Sequence, residues 1–241
     1  MVDLLAICAH PDDAELLCGG TLLVAAGQGY RTGILDLTGG EAGTHGSQEE
    51  RRREAEEAGR VLGLTVRRGA GLPDGALQDT PEARAQVAAA VRELRPRVVI
   101  TQWRKARHPD HTAASRIAHA ACFLAGLRRA PGLGPDSGEP HRPRKVLYSL
   151  TYVEEPVKPT FVVDITDVIE RKLEAVFAFR SQFQGKTRIG EIYGGERPLR
   201  DQILAHAAHY GSLIRRPYGE PFWTRETMRV DDVVALEVAS F

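Results

Sequence analysis

Leu4-Leu-Ala-Ile-Cys8 is an unbroken apolar run, and Arg97-Val-Val-Ile-Thr-Gln102 contains another. Runs this short and uniform suit strands buried on both faces, as the strands of a parallel sheet are. The stretches between such runs fit helices. Leu16 to Gln28 has helical spacing and ends at Gly29, while Ser47-Gln-Glu-Glu50 is a capping box that opens a helix through Leu62, closed by Gly63. Arg31–Leu37 and Thr65–Arg68 read as further strands, and Pro81–Leu94 and Pro109–Leu127 as further helices. Strands and helices alternating at this pitch form βαβ units, so the expected class is α/β: Rossmann-like, with a mostly parallel sheet and helices on both faces.

Arg128–Lys145 is rich in proline and glycine and reads as a long loop. It is not taken as a domain boundary, because strand-like Val146–Tyr152 and Phe161–Ile165 resume soon after it. Helical patterns follow near Asp167–Phe179 and Pro198–Ile214, and the 241 residues are expected to form one domain. Lys plus Arg and Asp plus Glu each total 32, so net charge gives no reason to expect nucleic acid or an anionic membrane as a partner. No apolar stretch approaches the ~18 residues of a membrane span, and the N-terminus lacks the basic start of a signal peptide. Cys8, Cys18 and Cys122 lie in apolar settings without a CxxC, as buried thiols of a reducing compartment would. A cytoplasmic protein is expected.

The first strand leads into His10-Pro-Asp12-Asp13-Ala-Glu15, and the strand at 97–102 into Arg107-His108-Pro-Asp110-His111. Open α/β sheets bind ligands beyond the C-terminal ends of their strands. In the common strand order the first and fourth strands flank the switch point, which would bring the two clusters to one crevice. Proline keeps the residue before it out of the α region, so His10 and His108 should be extended. Pro109 suits the first position of a helix, placing Asp110 and His111 in its first turn. His108 and His111 therefore do not share a helix face. A catalytic zinc takes three protein ligands and keeps a fourth position open, a count that two histidines and one carboxylate satisfy.

Blander readings compete. Asp12 or Asp13 could be an N-cap, although two adjacent acids plus Glu15 exceed what a cap needs. His206 and His209 read as a solvated pair, and His119, among Ala and Ile, as a core residue. Arg51-Arg-Arg53 among glutamates has the look of an exposed, salt-bridged helix. The glycine clusters match neither G-x-G-x-x-G nor a P-loop, which disfavours a nucleotide site.

Ala-His-Pro-Asp-Asp-Ala-Glu (9–15) and Arg-His-Pro-Asp-His (107–111) resemble the two signature motifs of the PIG-L, or LmbE-like, deacetylases of N-acetyl sugars. Cys18-Gly-Gly-Thr21, Asp36-Leu-Thr38, Gly40-Glu41, Arg51 with Glu54-Ala55, Leu72-Pro-Asp74 and Ser181-Gln-Phe183 extend the likeness over most of the chain. Together they are most similar to the branch that deacetylates N-acetylglucosaminyl malate in bacillithiol biosynthesis. The resemblance implies one Zn2+ per chain, or another divalent ion, on His10, Asp13 and His111. Asp12 would be the general base, and His108 a protonated electrophile oriented by Asp110. Arg51 would reach the sugar hydroxyls, Tyr193 the reacting carbonyl, and Arg142 the acid of the aglycone, from a neighbouring subunit. Homo-oligomers, often hexamers, are implied as well, with a small amino-sugar conjugate as substrate. Chitobiose- or inositol-linked N-acetylglucosamine are the alternative substrates. Two rival readings are a non-haem iron oxygenase, whose facial triad also uses two His and one carboxylate, and a non-catalytic sugar-binding protein.

Overall fold

The computed structural model describes residues 1–155, 157–183, 198–235 and 238. Seven strands form one sheet in the order β3-β2-β1-β4-β5-β7-β6. In chain order these are β1 (Leu4–Cys8), β2 (Thr32–Asp36), β3 (Val66–Gly69), β4 (Val98–Thr101), β5 (Lys145–Ser149), β6 (Phe161–Asp164) and β7 (Gly219–Trp223). The first five are parallel, and β7 runs antiparallel between β5 and β6. Among the described residues the α-helices are α1 (Asp13–Gly27), α2 (Gln48–Leu62), α3 (Pro81–Leu94), α4 (Pro109–Ala125), α5 (Ile169–Phe177), the single turn α6 (Arg180–Phe183) and α7 (Leu199–Ser212).

Strand alternation sorts β1 between two cores. Leu5 and Ile7 join Val87 and Val91 of α3 and Ile117 and Ala121 of α4. Ala6 and Cys8 face the opposite core, with Leu17 and Leu22 of α1, Leu62 of α2 and Ala175 of α5. Sequence cues set the helix ends as expected. Ser47 Oγ accepts the Glu50 N–H at 3.1 Å, and Gly63 takes φ 69°. All three cysteines are buried and free. Among the described residues no helix is long and apolar enough to cross a membrane. The loop from 128 to 144 is anchored rather than loose. Arg92 is buried and donates to the carbonyls of Ala125, Leu127 and Gly138.

The strand β7 was not expected. Its sequence, Gly-Glu-Pro-Phe-Trp, has a proline at its centre, which lacks the N–H of a ladder position. On the β5 side Pro221 serves only as an acceptor, its carbonyl taking the Leu150 N–H at 3.0 Å, so its missing N–H costs that ladder little. The strand's main contribution is Glu220, which is 1% exposed. Helix α1 breaks at Cys18 (φ −152°), leaving backbone groups on both sides without helical partners. Glu220 accepts the N–H groups of Gly20 at 2.9 Å and Thr21 at 2.7 Å, and the Thr21 hydroxyl at 2.6 Å. Lys172 Nζ donates to Glu220 at 2.5 Å and to the Leu16 carbonyl at 2.8 Å. Ser149 and Thr151 hydroxyls donate to the Leu17 carbonyl. A Cβ at residue 20 would lie 2.7 Å from Ile165, so glycine is required there.

Glu220→Ala would strand the Lys172 ammonium in this buried setting. Removing one partner of a buried ion pair costs about 3–5 kcal/mol, so urea denaturation should show a loss of that order. A loss under ~1 kcal/mol would mean that water readily reaches Lys172.

Candidate active site

The chain leaves β1 at Cys8 and enters α1 at Asp13, and the turn between them carries His10 and Asp12. Asp12 takes φ 103°, a conformation that costs a non-glycine residue about 1–3 kcal/mol. That turn sends the neighbouring carboxylates in different directions. Asp13 Oδ2 turns back to accept the His10 backbone N–H at 2.8 Å. Asp12 occupies the N-cap position of α1 without capping it, and instead accepts from Arg51 Nη2 at 3.1 Å.

The pairing of β1 with β4 brings in the second cluster. Gln102, just past β4, accepts the Ala9 N–H at 3.0 Å and donates to Asp13 Oδ2 at 2.9 Å. His108 is the N-cap of α4, with Pro109 first in the helix and His111 in its first turn. His10 Nδ1 lies 3.2 Å from Asp13 Oδ2, and His111 Nε2 lies 3.1 Å from Asp13 Oδ1. A tetrahedral ion with bonds of 2.0–2.1 Å has ligand–ligand edges of about 3.3 Å, so this triangle already has the right scale. Its donor atoms all lie within 4.8 Å of one another.

Behind the triangle, His10 Nε2 faces Asp74 Oδ1 at 3.0 Å and Asp110 Oδ2 at 3.4 Å. A carboxylate behind a ligating imidazole fixes its ring and raises its basicity. His10, His108 and Asp110 also converge within 4.8 Å. In that grouping, however, the Asp110 oxygens already accept the N–H groups of Gly75 at 2.8 Å and Leu77 at 3.2 Å. The His10–Asp13–His111 triangle therefore fits a divalent ion better, with Asp74, Asp110 and Gln102 as its supports.

Electrostatics separate the groups. Burial would push His10 down, but the hydrogen bond and charge of Asp13, with Asp12 and Asp74 behind, hold it at about 9. Burial raises Asp12 to about 7, against the pull of Arg51. Burial acts the same way on Asp13, yet the charges and hydrogen bonds of His111 and His10 hold it well below the usual range. His108 is lowered, first by burial and then by the charges of His111 and His10.

Several expectations need revision. The Asp110 carboxylate makes its contacts with His10 and the 75–77 backbone, and it is the Asp110 backbone N–H that donates to His108 Nδ1, at 3.2 Å. Nδ1 can accept only when unprotonated, so His108 is a neutral imidazole with its proton on Nε2 rather than an imidazolium. Arg52 and Arg53 are exposed and paired with Glu49, as the helix reading held, but Arg51 is buried. Besides Asp12, it donates to the carbonyls of Pro11 at 2.7 Å and Gly40 at 2.9 Å. Arg142 donates to the Phe123 carbonyl and stacks on that ring at 4.6 Å. Phe123 stands 12 residues along α4 from His111, about 18 Å at 1.5 Å per residue, so Arg142 is far from its own chain's site. Tyr193 lies outside the described residues. His119 is exposed and meets the Tyr148 hydroxyl at 3.0 Å, and His206 is half-buried and accepts the Tyr152 N–H at 3.2 Å.

A cleft of about 270 Å³ opens beside Asp13, His108 and His111, bounded by Trp103, Tyr152 and Glu154. Gln102, Asp74 and Trp103 carried no role in the sequence reading. Gln102 had one available cue, its position directly after a buried strand.

The sequence model of the family PIG-L, described as GlcNAc-PI de-N-acetylase, matches residues 5–122. The chain is 31% identical to the diacetylchitobiose deacetylase of Thermococcus kodakarensis, over 90% of this chain and 80% of that one. It is 28% identical to the 1D-myo-inositol 2-acetamido-2-deoxy-α-D-glucopyranoside deacetylase of Rhodococcus jostii, over 90% and 93%. Among solved structures, a conserved protein of Thermus thermophilus matches with a TM-score of 0.84 and 44% identity, covering 96% of this chain and 98% of that one.

Metal-depleted protein titrated with Zn2+ should take up about one ion per chain. His10→Ala, Asp13→Ala and His111→Ala should each lose most of that uptake, measured by calorimetry. With His10 at about 9, its proton must leave before Nδ1 can ligate, so binding should be tighter at pH 8 than at pH 6. Equal affinity at both pH values would exclude Nδ1 as a ligand.

Proposed function

Because the chain belongs to the PIG-L family, we propose that it is an amide hydrolase that removes the acetyl group from an N-acetylglucosamine conjugate. The products are acetate and the free amino sugar. One observation carries the reading: the His10–Asp13–His111 triangle has two of its members, Asp13 and His111, in the wall of a cleft, and the adjoining Asp12 is turned to Arg51 instead of capping its helix.

Zn2+ is the ion proposed for the triangle, whose two imidazoles and carboxylate suit it. Once bound, it supplies Lewis acidity toward the acetyl carbonyl and toward the attacking water. The protein's own groups do the rest. Asp12 takes a proton from the water as the oxygen attacks the acetyl carbon. Burial raises Asp12 above an ordinary carboxylate, and a base whose pKa lies nearer the operating pH takes and returns a proton more effectively. Arg51 fixes the direction of that carboxylate and keeps it from rising further. His108, neutral with its proton on Nε2, donates a hydrogen bond to the carbonyl oxygen as charge develops there. When the C–N bond breaks, the proton held by Asp12 passes to the leaving nitrogen.

The oxygenase alternative loses ground because the donor set sits on an open α/β sheet among relatives that are deacetylases. The sugar-binding alternative accounts for neither the strain at Asp12 nor its raised pKa.

Acetate release from N-acetylglucosamine derivatives tests the reading directly; no release from any of them would end it. Asp12→Asn should keep metal but lose about 10²–10⁴-fold in kcat. Since the ionised form is the base, the parent rate should rise with pH to a limb at or below about 7, because a bound cation pulls Asp12 the same way as Arg51. Arg51→Gln removes a charge that lowers Asp12 and should move the limb up by about one pH unit or more. A limb that stays in place would assign it to another group.

A further inference from the structure

From the walls of the cleft we infer that Trp103 is the platform of an aglycone subsite selecting a neutral, ring-shaped group over a carboxylate. The inference rests on the deacetylase reading and adds the chemistry of what the amino sugar is attached to.

At about 270 Å³ the cleft falls below the ~300 Å³ at which ligand pockets usually begin. It has room for one acetamido sugar, so whatever is bonded to that sugar must lie over the rim. Trp103 lines the cleft just past β4, one residue beyond the Gln102 that holds Asp13. The indole is fixed by its neighbours. Trp223 meets it edge-on at 5.5 Å and 82°, Tyr148 at 6.2 Å and 88°, and the Arg104 guanidinium lies 4.8 Å from it. A ring fixed this way pays little ordering entropy when something stacks on it. A pyranose or a cyclitol presents a face of C–H groups that packs on an aromatic ring, whereas a short dicarboxylic acid has no such face.

The charges at the rim agree. Lys105 is paired with Glu155. Arg107 meets Glu154 through its Nε at 3.6 Å, and its backbone N–H donates to the same carboxylate at 3.1 Å. Arg51 is committed to Asp12, Pro11 and Gly40. Arg104 is held over the Trp103 and Trp223 rings, at 4.8 and 4.3 Å, and is not part of the cleft lining. A carboxylate aglycone would have to compete with Glu154 and Glu155 for the rim cations and would meet their negative charge. A neutral polyhydroxylated ring meets no such opposition.

The test compares kcat/KM for N,N′-diacetylchitobiose, an inositol-linked N-acetylglucosamine, the malate-linked conjugate and free N-acetylglucosamine. The two neutral ring conjugates should exceed the malate conjugate by at least about tenfold. In Trp103→Ala the ratio of diacetylchitobiose to free N-acetylglucosamine should fall about tenfold, through KM rather than kcat. Trp103→Phe keeps an aromatic face and should restore most of that ratio, which separates stacking from a general loss of fold. A preference for the malate conjugate would overturn the inference, as would a ratio unmoved in a folded Trp103→Ala protein. Both outcomes leave the deacetylase reading standing. Failure of the parent to release acetate from all four compounds would overturn both.

Discussion

The parallel pairing of β1 with β4 is the constraint on which the site depends. Leu4 to Ile7 lie in register with Val98 to Thr101, so both strands end at the same level. Segments roughly a hundred residues apart in sequence therefore meet at one point on the sheet edge. Gln102 then ties them, one end of its amide on the Ala9 backbone and the other on Asp13. Slipping this register by one residue would turn the strand's apolar set to the wrong core and carry His10 out of reach of His111. The stability of the two cores and the geometry of the polar cluster are thus set by the same ladder.

Burying so many acids requires compensation, and the fold supplies it with arginines and backbone N–H groups. Asp12 leans on Arg51, and Asp110 accepts two N–H groups of the 75–77 turn. Glu15 and Asp36 share Arg67, which is held far above its ordinary value: burial opposes the charge, but the two carboxylates outweigh it. Glu220 and Lys172 do for the broken α1 what these pairs do for the site, because they satisfy the backbone groups that the kink at Cys18 exposes. The kink shortens the segment that must stay rigidly helical behind Asp13, so the first turn of α1 is positioned by β5, β7 and α5 as well as by β1.

Much of this was legible in the sequence because it rests on local rules. The apolar run Leu4–Cys8 became β1 with the same bounds, and the capping box at Ser47 opened α2 as expected. Proline at 11 and 109 separated His10 and His108 from the helices that follow them. What stayed hidden was long-range. Arg51 looks like its neighbours Arg52 and Arg53 in a run of glutamates, and only the packing of α2 against the 40–43 turn turns it inward. Asp74 sits in a loop whose position depends on α4. The strand β7 carries a proline that ordinarily argues against a strand, and nothing local betrays that it lies between two others. Even the role expected of Asp110 turned on direction: the sequence places it two residues from His108, but not which way its carboxylate points.

That direction decides how protons are shared at the site. His10 and His108 lie 4.9 Å apart, ring centre to ring centre, yet one is raised to about 9 and the other lowered. Burial lowers both rings, and the carboxylates decide which one recovers. Asp13, Asp74 and Asp110 are all in direct contact with His10, whereas the charges of Asp110 and Asp13 reach His108 too weakly to offset its burial and the two imidazoles it faces. A cation entering the triangle would replace the proton of His10 and leave positive charge in the same place, so His108 would still be disfavoured as an imidazolium. Its Nε2–H can therefore polarise an oxygen without first giving up a proton, in the way that neutral imidazoles serve as electrophiles elsewhere. In the proposed mechanism the group that both takes and returns a proton is then Asp12, raised to about 7 by burial and kept from going higher by Arg51.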